Sequence, residues 1–208
     1  GIMLRPRAAH RPRGYRLLYR LISGWILRLY HSLVYNCWKM AKNCSIGNNR
    51  YVSVKKQGGD LHVTIAEEGS DLKSVTFTSR RWAEFVRCID DINENVNSLI
   101  AKQYVELNRP IGGKWHVSVT TGFACVNIRQ FYFHSTKGLM PSKQGIALRL
   151  PEWYTLKDLI PHLHRKYPAL AAAQPCSTQL DHQNLEGALS YTECTPFRYE
   201  ELLHSINA

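Results

Sequence analysis

Residues 143–160 read KQGIALRLPEWYTLKDLI, and residues 73–92 read KSVTFTSRRWAEFVRCIDDI. Each runs a short alternating strand into a helix that opens on tryptophan. Aligned on Trp82 and Trp153, an apolar residue stands five before (Phe77, Leu148), three after (Phe85, Leu156) and seven after (Ile89, Ile160). Offsets of three and seven place side chains on one helix face. The spacing predicts two strand-to-helix units, with Trp82, Phe85, Ile89, Trp153, Leu156 and Ile160 as core or interface residues.

Working outward, the first unit reads as a hairpin, Arg50–Val54 and Leu61–Ile65, joined by Gly58 and Gly59. A strand over Lys73–Phe77 follows, with Thr78 or Ser79 as the helix cap. One helix is expected from there, ending by Pro110 and the pair Gly112–Gly113. The second unit repeats the order: a strand over Trp115–Thr120, a turn at Gly122, a long strand over Phe123–Phe133, a strand at Ile146–Leu150, then a helix in which Pro161 predicts a kink or an early end. The fold expected is α+β, two tandem units of curved antiparallel sheet followed by a helix, paired as an intramolecular pseudo-dimer. The expected divisions are a basic extension over 1–44 outside the fold, a unit over 45–106, a linker over 107–113, a unit over 114–168 and a tail over 169–208. Within the tail, Tyr199, Leu202, Leu203 and Ile206 predict a short helix.

Charge is unevenly placed. The chain of 208 residues carries a net +11, but residues 1–39 hold seven Arg and one Lys without an acid, and the remainder carries only +3. A nucleic-acid reading therefore rests on placement rather than on bulk charge. Arg20, Arg28 and His31 interrupt the apolar run 17–38, which argues against a membrane span. The same arginine-rich, acid-free composition fits a mitochondrial presequence, while MAKNCSIGNNRYV reads as a natural start at Met40, with 1–39 as an upstream extension. The six cysteines show no C-x-x-C spacing, so reduced thiols are expected and no metal site is assigned.

Several stretches carry a resemblance: IGNNRYVSV (46–54), the helical spacing Trp82, Phe85, Ile89, Ile92, Val96 with CIDDI, VNIRQFYF (126–133) and MPSKQGIALRLPEW (140–153). Over about 45–106 and 114–167 the chain resembles the single-stranded-DNA-binding domain of the transcriptional positive cofactor four family. The resemblance implies an intracellular, nuclear, non-enzymatic module without cofactor, dimeric, that holds unpaired DNA on its sheet through basic and aromatic residues. It implies contacts at Arg129, Phe131, Tyr132 and Lys143 in the second unit and at Arg50, Lys55 and Lys56 in the first, with Lys137, Lys114 and Trp115 extending the groove. The first unit, with Gln57, Gly58 and Ala66 where the family has aromatic or basic groups, reads as the weaker binder.

The residues alone narrow this further. Val126 and Ile128 share a strand face with Tyr132, and Arg129 shares the other with Phe131, so an aliphatic core leaves Arg129 and Phe131 as the surface pair. No phosphate loop, nucleophile elbow or converging carboxylates appear, and an enzyme is not expected. The expected function is single-stranded DNA binding with weak sequence preference, in transcription, replication or repair, with transcription or replication proteins as further partners and no membrane. Two other readings stand beside it: a protein-interaction scaffold on the same fold, and an organellar RNA-binding protein.

Overall fold

The computed structural model describes residues 43–179. The expected presequence, the start at Met40, the interrupted apolar run and the terminal helix all lie outside those residues. Eight strands form two antiparallel sheets of four, each in sequential order. The first holds β1 (Asn43–Gly47), β2 (Arg50–Gln57), β3 (Asp60–Glu67) and β4 (Ser70–Thr78), followed by helices α1 (Ser79–Arg87) and α2 (Ile89–Ile100). The second holds β5 (Glu106–Pro110), β6 (Trp115–Thr120), β7 (Cys125–His134) and β8 (Gly138–Arg149), followed by α3 (Leu150–Lys166). A short helix α4 (Pro168–Ala172) and a 3-10 turn (Cys176–Thr178) come next.

Turn chemistry sets the hairpins. Gly58 and Gly59 both take positive φ (59° and 96°), as a two-residue hairpin loop requires. Pairing then runs without interruption from Arg50↔Glu67 to Gln57↔Asp60. Thr78 caps α1, its hydroxyl accepting from the Arg81 N–H at 3.4 Å. In the second unit Glu152 closes the start of α3, accepting from the Arg149 N–H at 2.8 Å.

Several elements differ from the sequence reading: β1 begins at Asn43, inside the stretch 1–44 expected outside the fold, and β8 spans Gly138–Arg149 where a strand was expected only over Ile146–Leu150. The single first helix is broken at Cys88, whose N–H bonds Phe85 O three residues back (3.1 Å) while its carbonyl starts the next turn to Ile92 (2.9 Å). Because of the break, Ile92 and Val96 are fully buried and Ile89 only half-buried. The stretch read as a linker contains β5, an edge strand paired from Glu106↔Thr120 to Pro110↔His116. No residue of β5 is buried, so it has no alternation to detect, and Pro110 is tolerated because it sits at the end of an edge strand. Helix α3 does not end at Pro161, which lies on its exposed side, but continues to Lys166.

Register assigns the faces. Val52, Val63, Ile65, Val75 and Phe77 of the first sheet, and Val117, Val119, Val126, Ile128, Ile146 and Leu148 of the second, are buried on the helix side. Over them lie Trp82, Phe85, Trp153, Leu156, Leu159, Ile160 and Leu163, all 5 % exposed or less. The two tryptophans make reciprocal bonds. Trp82 Nε1 donates to His164 Nε2 on α3, and Trp153 Nε1 donates to Asn93 Oδ1 on α2, both at 3.0 Å. Each acceptor stands eleven residues after the tryptophan of its own half.

The segment after α3 folds back on α1. Leu170 is buried, and Ser177 accepts from Arg87 Nη1 (2.6 Å) and donates to Glu84 (2.5 Å). Cys44, Cys88 and Cys125 are free thiols, but Cys176 is disulfide-bonded, which departs from the expectation of reduced cysteines. Among the described residues no helix is long and apolar enough to cross a membrane, and no cluster of side chains could hold a metal ion.

Candidate nucleic-acid interface

The open face of the second sheet, opposite its helix, gathers a basic and aromatic group. Val126 and Ile128 are fully buried, so alternation turns Asn127, Arg129 and Phe131 outward. His116 lies directly opposite Arg129 and therefore on the same face. Its ring stands 4.5 Å from that of Phe131, tilted by 36°.

Strand β8 bulges beside this group. Arg129 pairs with Gly145 and Phe131 with Pro141, so one residue on β7 faces three on β8, Ser142 to Gln144. Arg129 Nη1 holds the bulge by donating to the Ser142 carbonyl at 2.8 Å, and its Nε reaches Asn127 Oδ1 at 3.4 Å. Lys143 projects from the bulge, exposed. Gly145 is required here: a Cβ would stand 2.5 Å from Ile128 O and 2.7 Å from Arg129 Cα. Lys114 lies at the other flank, its carbonyl accepting from the Phe131 N–H at 2.7 Å. Exposed Lys137 sits in the β7–β8 turn.

The remaining sequence-derived positions separate. Tyr132 is 44 % exposed but follows the core-side alternation of β7, away from Phe131. Trp115, 7 % exposed, packs on the core side with Val117 and offers no stacking surface. Lys55 and Lys56 are exposed at the β2–β3 end of the first sheet. Arg50 is committed elsewhere. It shares the helix side of β2 with Val52, and its guanidinium bonds Glu152 of α3, Glu67 at 3.2 Å and the Ala147 carbonyl at 2.5 Å. Arg129, Phe131 and Lys143 thus form one surface, and Arg50 is outside it.

Two buried polar side chains escaped the sequence reading. Glu152 is 1 % exposed and accepts from Arg50, from Asn48 Nδ2 (2.6 Å) and from the Arg149 N–H; a Glu at the third helical position was the available signal. His116, 6 % exposed, shares a hydrogen bond with Asn108 Oδ1 at 2.9 Å, and only strand pairing reveals that it underlies Arg129 and Phe131.

Burial lowers the His116 pKa from 6.5 to about 4, so the imidazole is neutral at neutral pH. The unfolded chain takes up this proton below about pH 6.5 and the folded one only near pH 4. The contribution to stability is therefore complete above pH 6.5 and is lost as pH falls toward 4, by on the order of 3 kcal/mol. Burial also lowers His164, which acts in the same direction. Urea midpoints should separate more between about pH 7.5 and about pH 4.5 in the wild type than in His116→Gln; equal separation would refute the assignment.

No solved structure matches this chain. A curated protein of Caenorhabditis elegans named "Putative RNA polymerase II transcriptional coactivator" is 42% identical over 52 residues, which is 24% of this chain and 42% of that relative. The chain thus spans less than half the length of the curated relative it matches. Residues 110–159, from the end of β5 into α3, match the family described as Transcriptional Coactivator p15 (PC4), and it is to these coactivators that the second sheet and its helix are similar.

Proposed function

We propose that this protein is a single-stranded-DNA-binding transcriptional coactivator, nuclear and without enzymatic activity, whose two halves form an internal pseudo-dimer. The observation that carries the reading is the open face of the second sheet, where Arg129, Phe131, Lys114 and Lys143 stand together within the segment that matches the coactivator family. An exposed base face stacks on an aromatic ring at about 1–3 kcal/mol, and cations flanking the ring follow the phosphates. A duplex keeps its base faces stacked internally and gains only the charge term. Preference for unpaired DNA follows, with weak sequence preference.

The pseudo-dimer reading is supported by the reciprocal tryptophan bonds, because equivalent residues exchanging equivalent contacts is the mark of a two-fold interface. A further pair of contacts agrees. Glu152, just before Trp153, reaches the β1–β2 turn at Asn48, and a Cβ at Gly113 in the β5–β6 turn would stand 2.6 Å from Arg81, just before Trp82.

Fluorescence anisotropy of the full chain with a labelled strand of ~20 nucleotides and its duplex, over a salt series, tests the reading. The single strand should bind more tightly. Each phosphate contact contributes about 0.7 to the slope of log K against log salt, so Lys137→Ala with Lys143→Ala should make the slope shallower by about 1.4. No binding at low salt would leave a scaffold whose partner is a protein.

A further inference from the structure

We infer that each chain holds one nucleic-acid strand, on the β5–β8 sheet, and that the β1–β4 sheet forms no second track. This deepens the proposed function and rests on it. The two sheets share a topology but not a charge. Residues 43–78 carry four Lys or Arg against four Asp or Glu, a net of zero, while residues 106–149 carry six against one, a net of +5. Strand affinity is dominated by phosphate charge, so a neutral sheet and a +5 sheet are not equivalent surfaces.

The placement of those charges preserves the difference, since pairing of Arg109 with Asp91 at 2.9 Å still leaves the second sheet with a net of +4. Two of the four bases in the first sheet are neutralised: Arg50 by Glu152 and Glu67, and Lys73 by Glu67 at 2.5 Å. Lys73 and Arg50 together hold the Glu67 carboxyl below its usual range, so it remains ionised and keeps both. Lys55 and Lys56 are left, adjacent on β2 and hence on opposite faces, with Asp60 across the hairpin end. At its centre the open face is small and polar. Ser53 pairs with Thr64, and Thr64 and Thr76 hydrogen-bond each other at 3.0 Å, where the second sheet presents Arg129, His116 and Phe131. Tyr51, half-buried opposite Ala66, and His62 opposite Lys55 are the rings on that face, and Lys55 is its lysine, so it offers a base some ring surface but the phosphates far less charge than the second sheet does.

The consequence is functional. A chain with two equal tracks could hold both strands of an opened duplex, whereas one track holds one strand and leaves the other free. The first half then serves to support the second, through the Arg50–Glu152 pair and the tryptophan bonds.

The test uses the full chain, an oligothymidylate of ~8 nucleotides carrying photoreactive 4-thiothymidine, native mass spectrometry for stoichiometry and crosslink mapping for position. One strand per chain at saturation is expected, with crosslinks within 106–149. Lys137→Ala with Lys143→Ala, both exposed, should weaken binding roughly tenfold or more, and Lys55→Ala with Lys56→Ala should leave it within about twofold. Two strands per chain, crosslinks on β1–β4 or crosslinks confined to the basic extension 1–39 would overturn the single track while leaving nucleic-acid binding intact. Absence of any bound strand at low salt would overturn both.

Discussion

Glu152→Ala is expected to lower the unfolding free energy by about 3 kcal/mol or more, although the residue lies outside the proposed binding face. Its carboxylate is 1 % exposed and its partner Arg50 is 14 % exposed. Removing it leaves a largely buried guanidinium with Glu67 as its remaining carboxylate, deprives Asn48 of its acceptor and uncaps α3 at Arg149. A buried charge stripped of a partner costs far more than the intact pair contributes, because its desolvation is no longer offset. Arg50→Met combined with Glu152→Leu should therefore be milder than Glu152→Ala alone. Denaturant midpoints at constant m report the difference, and a loss below about 1 kcal/mol for Glu152→Ala would show that the pair is effectively solvated.

Trp153→Ala should cost about 3–5 kcal/mol, the usual range for removing a large aromatic side chain from a packed interior. Trp153 is fully buried, its ring meets that of Phe85 edge-on at 6.2 Å, and its N–H satisfies Asn93. Trp153→Phe retains part of the packing but strands the Asn93 oxygen, at about 1–3 kcal/mol. Trp82→Ala should fall in the same range, since Trp82 is equally buried and bonds His164 in the mirrored arrangement. The two substitutions should not add. Phe85 contacts both rings, at 5.5 Å and 6.2 Å, and the first cavity already frees it to shift. Strict additivity would mean that the two helices form separate cores.

Much of this was visible along the chain, for identifiable reasons. Helical offsets from Trp82 and Trp153 marked the buried faces because a helix repeats every 3.6 residues and packing tolerates few polar intrusions on that face. Alternation in VNIRQFYF separated Val126 and Ile128 from Arg129 and Phe131 because a strand turns successive side chains to opposite sides. Strand β5 was invisible, since an edge strand without buried residues has no periodicity, and Pro110 argued against it. The break at Cys88 was invisible too, because one tightened turn barely disturbs the apolar spacing.

The sequence by itself determined the two strand-to-helix units, their tryptophan-led helices and the placing of Arg129 with Phe131 on one face, because these depend on periods of two and 3.6 residues within a local stretch. Only the tertiary structure decided the use of each charge. Arg50 and Arg129 are both strand arginines, but Arg50 meets Glu152 from a residue 102 positions away, while Arg129 meets the bulge of its neighbouring strand beside Phe131. Coulombic partnership depends on distance in space, and separation along the chain does not encode it.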